Sequence, residues 1–235
     1  MNVRTLLVLT SQEWIGSTGV RTGAWLQEFA APYLVFRARG WTVEFASPRG
    51  GAAPIDPQSL EEGFIQSDGR AFVEDKAAMA AVAATRRLAD VESGRYDVVY
   101  LVGGTGTTWD FPHDPDIQRL VEDVNSRSRI AAGICHGVVG LASAKAADGQ
   151  PIIKGRRATG LSVAEDEIAG LERMIPVLPE IWLKKAGAVY VAAAPFSPNV
   201  VMDANLFTGQ NPASSRPLAE AIAEALAARL VRTTP

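Results

Sequence analysis

Two apolar runs in the middle of the chain, Asp97 to Val102 and Ile130 to Ile134, carry almost no polar side chains. A strand with one face in water alternates apolar and polar residues, whereas a strand covered on both faces does not. Runs of this kind predict the central strands of a parallel sheet with helices on both sides, and Leu6 to Leu9 reads as a first strand of the same type. Helical stretches lie between the runs. Thr22 to Arg39 reads as a helix stopped by Gly40. Asp75 to Val91 is Ala-rich and helical, and Asp114 to Ser126 and Val138 to Ala147 complete the set. Trp41 to Ala46 is a second strand, broken by Ser47-Pro48-Arg49-Gly50-Gly51 at the head of a Pro- and Gly-dense loop, Ser47 to Pro57. After Ile152-Ile153, Thr159 to Leu183 is acidic and partly helical. Gly187 to Ala193, Val200 to Asp203 and Asn205 to Thr208 read as short strands near a sheet edge, and Pro217 to Val231 as a final amphipathic helix. This alternation predicts an α/β fold, a doubly wound, mostly parallel sheet between helical layers. No internal repeat or low-complexity linker divides the chain. The expectation is one domain over residues 1–235, with insertions at about Pro48–Ser93 and Leu161–Gly187.

Composition narrows the function classes. Of 235 residues, 47% are apolar and 21% charged, enough for a sizeable core. A formal net charge of −3 gives no electrostatic case for a nucleic-acid partner. A single cysteine excludes an internal disulfide framework and fits a reducing compartment. The apolar stretch within Met1 to Thr10 is too short for a signal peptide. No run approaches the roughly 18 apolar residues a membrane helix needs. The expectation is a cytoplasmic protein that does not engage a membrane.

The single cysteine, Cys135, is followed by His136, one of only two histidines. A thiol beside an imidazole is the minimum equipment for a nucleophile at neutral pH, since thiolate is the reactive form. The pair follows a predicted strand and precedes a predicted helix, with Gly133 and Gly137 at i−2 and i+2, the spacing of a nucleophile elbow. The amides at the start of that helix would favour thiolate. A buried core cysteine is the competing reading. Gly103-Gly104-Thr105-Gly106, after another strand, is a glycine turn whose amides, with that of His136, are suited to an oxyanion hole. Neither a P-loop lysine nor dinucleotide-type glycine spacing follows, which disfavours phosphate. Glu28 lies among aromatic and aliphatic residues, where burial requires protonation or pairing, although an exposed helix charge is the commoner fate of a Glu. In the run Glu165-Asp166-Glu167, any of the three carboxylates is placed to orient His136, and a solvated acidic face is the plain alternative. His113 reads as a surface-loop residue. Two histidines and one cysteine give no metal-ligand spacing.

Several of these motifs, in order, resemble the ThiJ/PfpI superfamily, and within it the branch of stress-inducible chaperones and glutathione-independent glyoxalases. The resemblance runs through Leu9-Thr10-Ser11, Thr22-Gly23, Glu28 to Pro32 and Gly106-Thr107-Thr108-Trp109-Asp110-Phe111-Pro112. It continues through Ile134-Cys135-His136-Gly137, Thr159-Gly160, Lys184 to Ala188 and Phe207 to Ser214. It implies a flavodoxin-like, class I glutamine amidotransferase-like fold. It implies Cys135 as nucleophile, His136 as its partner, Glu28 as the acid touching the sulfur and Asp166 as the third triad member, with Glu165 the fallback. Two departures stand out: Thr105 sits where this branch often has His, and Val138 where it often has Pro. Branch members often form dimers, so a homodimer is expected.

The resemblance implies a cofactor-free conversion of a small aldehyde such as methylglyoxal to a 2-hydroxy acid, with no metal and no nicotinamide. An ionised Glu28 against the sulfur would raise the thiol pKa, so Glu28 is expected to be protonated and to donate a hydrogen bond. The resemblance also allows protein deglycase or chaperone activity in the same chain. Competing readings are an amidase, peptidase or hydratase with the same Cys and His, and a holdase chaperone or oxidation sensor.

Overall fold

The computed structural model describes residues 3–232; residues 1, 2 and 233–235, at the ends of the expected domain, lie outside it. The first half of the chain forms β1 (Arg4–Val8), α1 (Leu26–Ala38), β2 (Thr42–Ser47), α2 (Ser67–Glu74), α3 (Lys76–Ala83), β3 (Arg86–Arg87) and β4 (Val98–Leu101). Then come α4 (Thr107–Asp110), α5 (Pro115–Ser126), β5 (Ile130–Ile134), α6 (Val139–Ser143), β6 (Arg157–Ala158) and α7 (Val163–Ile168). The last part comprises α8 (Pro179–Lys185), β7 (Val189–Tyr190), β8 (Val200–Asp203), β9 (Leu206–Gly209) and α9 (Ser215–Arg232).

Seven strands form one sheet in the order β3-β2-β1-β4-β5-β9-β8, parallel throughout except for the antiparallel edge pair β8–β9. β4 and β5 are buried along their whole length, as their unbroken apolar sequences require. One face is covered by a core including Phe29, Phe36, Phe45, Phe72, Tyr100 and Ile222, under α1, α2, α3 and α9. The other holds Leu6, Val8, Leu101, Phe111, Leu120 and Leu141, under α5, α6 and α8. This is the flavodoxin-like arrangement. The chain leaves β1 toward β2 and returns to β4 on the other side, so a crevice opens beyond the carboxyl ends of β1, β4 and β5.

Where the structure departs from the sequence pattern, backbone bonds made at long range are the reason. The helix read as Thr22–Arg39 starts only at Leu26. Ala24 N–H donates to Pro54 O at 2.8 Å, Trp25 N–H to Gly103 O at 3.1 Å, and Asp56 N–H to Ala24 O at 2.9 Å. The helix read as Asp75–Val91 ends at Ala83, because Arg86 and Arg87 pair with Ala46 and Ser47 at the sheet edge. No element is expected from the sequence pattern at Ser67–Glu74, where α2 forms. The helix read as Val138–Ala147 opens with a 3₁₀ turn at Cys135–Val138 and ends at Ser143, where Ala144 turns extended. Within Gly187–Ala193 only β7 is a strand, and it pairs with β6 in a separate small sheet rather than at the main sheet's edge.

α2 docks through Phe72, which is fully buried and packs edge-on against Phe29 and Tyr33, each at 5.1 Å between ring centroids. Phe72→Ala would leave a cavity between α1 and β2. The expected loss is about 3–5 kcal/mol, read as a lower urea midpoint with unchanged slope.

Candidate active site

β5 runs directly into the turn that carries the thiol. Ile134 is extended, Cys135 has φ +54°, and the chain then enters the 3₁₀ turn and α6. A left-handed residue with a Cβ costs about 1–2 kcal/mol, so its neighbours must hold it there. They do so by close approach. A Cβ on Gly137 would lie 2.5 Å from Val102 O, and one on Gly133 2.9 Å from the Leu141 side chain. The two glycines at i−2 and i+2 are therefore space requirements of the elbow. Val138 has φ −60°, the value a proline would impose, so its replacement of proline leaves the turn unaltered.

His136 and Asp166 extend a hydrogen-bonded chain from the sulfur. Cys135 Sγ lies 3.4 Å from His136 Nδ1, and His136 Nε2 lies 3.0 Å from Asp166 Oδ1. All three side chains are buried. With Asp166 accepting from Nε2–H, Nδ1 is left to take the thiol proton. Asp166 arrives on α7, inside the second insertion, one residue from Glu165 but in a different role. Glu165 closes a capping box with Ser162 and accepts from Gln210 Nε2 at 2.9 Å, Asn211 Nδ2 at 2.8 Å and Phe196 N–H at 2.8 Å. Helical geometry turns adjacent side chains about 100° apart, so the two acids face different walls.

Glu28, on the first turn of α1, is fully buried and faces the Cys135 thiol and the Gly103 amide. Burial pushes its carboxyl from about 4.5 to about 8, outweighing those two contacts. The group is therefore protonated at neutral pH. The Cys135 thiol is raised well above its usual 9.0, first by burial and then by the neighbouring Glu28; the His136 amide acts in the opposite direction. Burial thus overrides the thiolate-favouring helix terminus read from the sequence. A protonated Glu28 removes the charge repulsion and offers a donor to the sulfur once the thiol proton leaves.

The site opens into a cavity of about 1040 Å³ that reaches Cys135, His136, Gly104 and Thr105. Gly103 does not line it. A Cβ on Gly103 would fall on Glu28 Oε2 and lie 2.6 Å from Ile134 O, so this glycine admits the close approach of Glu28 and its amide faces that carboxyl. Of the expected oxyanion-hole set, Gly104, Thr105 and His136 line the cavity, but the His136 amide is directed at the sulfur. Both insertions contribute walls, the first from Asp56 to Gln66 and the second from Leu161 to Met174. Sequence reasoning missed Asp56, a buried wall residue that accepts from Thr22 Oγ1 at 2.9 Å and whose carboxyl burial raises. The signal was Asp56-Pro57 at the start of a 3₁₀ turn, with Asp56 its N-cap. His113 is exposed and edge-on to Trp182 at 5.8 Å. Among the described residues, no three His, Cys, Asp or Glu side chains gather as metal ligands, and no helix is long and apolar enough to cross a membrane.

Fold and elbow together define a flavodoxin-like α/β protein with a buried Cys–His–Asp chain at the carboxyl edge of its sheet. The chain belongs to the DJ-1/PfpI family, whose model matches residues 20–225. It is 29% identical to the glutathione-independent glyoxalase HSP31 of Saccharomyces cerevisiae, over 95% of this chain and 98% of that protein. It is 28% identical to glyoxalase 3 of Candida albicans, over 93% and 96%. Among solved structures, the rapid encystment protein of Francisella tularensis matches with a TM-score of 0.91 and 33% identity, over 95% of this chain and 99% of that one. Glyoxalase III of Candida albicans matches with a TM-score of 0.88 and 27% identity, over 95% and 97%.

Glu28 makes folding stability depend on pH with a definite sign. Its folded pKa is above its unfolded value, so its full contribution is present below about pH 4.5 and is lost as pH rises to about 8. Relative to Glu28→Gln, the wild type is expected to lose about 1.4 kcal/mol per pH unit across that window. Paired urea titrations from pH 4 to 9 measure the difference, and a constant gap would contradict the assignment.

Proposed function

We propose that the protein is a glutathione-independent glyoxalase, a cysteine-dependent lyase that converts a 2-oxoaldehyde to a 2-hydroxy acid without a metal or nicotinamide. The observation that carries this reading is the Cys135–His136–Asp166 chain on a cavity wall, backed by a protonated Glu28. Likeness to two glyoxalases over almost the full length of the chain supports it. The chain is taken to act as one domain, and the homodimer expected from the resemblance remains part of the proposal.

The steps balance on these residues. His136 Nδ1 takes the Cys135 proton as the sulfur attacks the aldehyde carbon, and the aldehyde oxygen gains a proton to give a hemithioacetal. The proton on that carbon moves to His136 and then to the adjacent carbon by way of an enediol, leaving a thioester on Cys135. Water cleaves the thioester, releasing the 2-hydroxy acid and restoring the thiol. Asp166 holds the His136 ring in the tautomer that leaves Nδ1 free to accept. Glu28, as a neutral donor, stabilises negative charge on sulfur without competing for it.

The runner-up hydrolase reading needs paired amides aimed at a tetrahedral oxyanion. The Gly103 amide faces Glu28 and the His136 amide faces the sulfur, which leaves Gly104 and Thr105 as the members of the glycine turn on the cavity wall. Thioester hydrolysis at the end of the glyoxalase path passes through the same kind of oxyanion, so likeness to two glyoxalases, rather than the amides, ranks the two readings. Thr105 occupies the wall where this branch often has His, so the proton traffic falls to His136.

Incubation with methylglyoxal, following aldehyde loss and chiral detection of lactate, tests the reading. Wild type is expected to form lactate and Cys135→Ala none. Asp166→Asn should lower kcat by about 10²–10⁴-fold while the protein stays folded. Because ionised Glu28 opposes the thiolate, kcat/KM should decline above about pH 8. Wild-type turnover no greater than that of Cys135→Ala would refute the assignment.

A further inference from the structure

The cavity beside Cys135 far exceeds what methylglyoxal, one of the smallest 2-oxoaldehydes, would fill. At about 1040 Å³ it stands at the upper end of the roughly 300–1,000 Å³ typical of sites for drug-sized ligands. Its lining carries large apolar side chains left in water: Phe64 is 43% exposed, Ile168 65%, Met174 38% and Phe196 51%. Scattered singly, such residues need no explanation, but gathered on one cleft they mark a ligand groove. Two of them are held in position. Phe64 packs edge-on against Trp25, another lining residue, at 5.7 Å. Phe196 sits at φ +59°, a rare conformation for a bulky residue, with its N–H bonded to Glu165 Oε1 at 2.8 Å. A half-exposed ring gains the fold little from that strain, and strained residues cluster at ligand clamps. α7 therefore serves both ends of the site, with Asp166 on His136 and Glu165 on the backbone of Phe196.

We propose that this protein's preferred substrates are 2-oxoaldehydes whose keto carbon carries a long alkyl or comparably bulky apolar group, gripped by Phe64, Ile168, Met174 and Phe196. The inference rests on the glyoxalase reading and names its substrate class. Each methylene moved from water to an apolar wall multiplies affinity by about 2–4-fold. The gain belongs in KM, because the added group is remote from the reacting carbons.

Steady-state kinetics on methylglyoxal and 2-oxooctanal test this, with wild type, Phe196→Gly and Phe64→Ala. Glycine suits the left-handed backbone at position 196, so that variant removes the ring without adding strain. Wild type is expected to favour 2-oxooctanal in kcat/KM by at least about ten-fold, mostly through KM. The preference should shrink to about three-fold or less in either variant. Comparing the ratio between proteins cancels the intrinsic reactivity of the two aldehydes, and circular dichroism checks the fold of each variant. Turnover of methylglyoxal with no preference for 2-oxooctanal, or a preference untouched in both folded variants, overturns the substrate class and leaves the glyoxalase reading standing. Turnover of neither aldehyde by wild type removes that reading, and the inference with it.

Discussion

The close approach of β4 and β5 at their carboxyl ends governs the geometry around the thiol. Val102 O presses on the space where a side chain at position 137 would go, and Gly133 gives way to Leu141 from α6. Within that packing Cys135 has to turn left-handed, and its sulfur is aimed away from the sheet toward the cavity and Glu28. The cost of the turn, about 1–2 kcal/mol, is offset by the fully buried strands on either side. A thiol on a looser loop would sample many directions, whereas this one is held by the sheet itself.

Burial creates the electrostatic problem at the site and also resolves it. The buried pocket penalises charge on both Cys135 and Glu28, and ionising the pair together is costlier still. Leaving the proton on Glu28 resolves the conflict, since a neutral carboxyl has no charge to repel the sulfur and keeps a hydrogen to donate. Gly103 is the structural counterpart of this arrangement, because any side chain there would expel the carboxyl from the thiol's neighbourhood. His136, anchored by Asp166, places Nδ1 3.4 Å from the sulfur, on a contact separate from Glu28.

Much of this was legible in the chain. Unbroken apolar runs mark β4 and β5 because the side-chain period of two leaves no other way to cover both faces. Glycines around Cys135 mark the elbow because close packing admits nothing larger. Glu28 stood out as a carboxyl in apolar company. Less was legible where long-range bonds prevailed: Thr22, Ala24 and Trp25 read as the start of a helix but bond to Glu13, Pro54 and Gly103, and Arg86-Arg87 became a strand only because β2 offered an edge. The cavity walls were hidden for the same reason, since Asp56 and Phe64 sit together in one stretch, Phe196 lies far along the chain, and the three belong to no local pattern.

The sequence by itself determined the layer architecture, the elbow that carries the one cysteine, and the family, since these depend on periodicity, local turn chemistry and ordered motifs. Only the tertiary structure decided between Glu165 and Asp166. Both are buried acids on one short helix, and what separates them is the direction of each side chain, one toward His136 and the other toward Gln210, Asn211 and the Phe196 amide. It also decided that Gly103 serves Glu28 rather than an oxyanion, and that Cys135 is a thiol raised by burial rather than a thiolate held by helix amides. Desolvation is a property of everything packed around a group, and no stretch of sequence contains it.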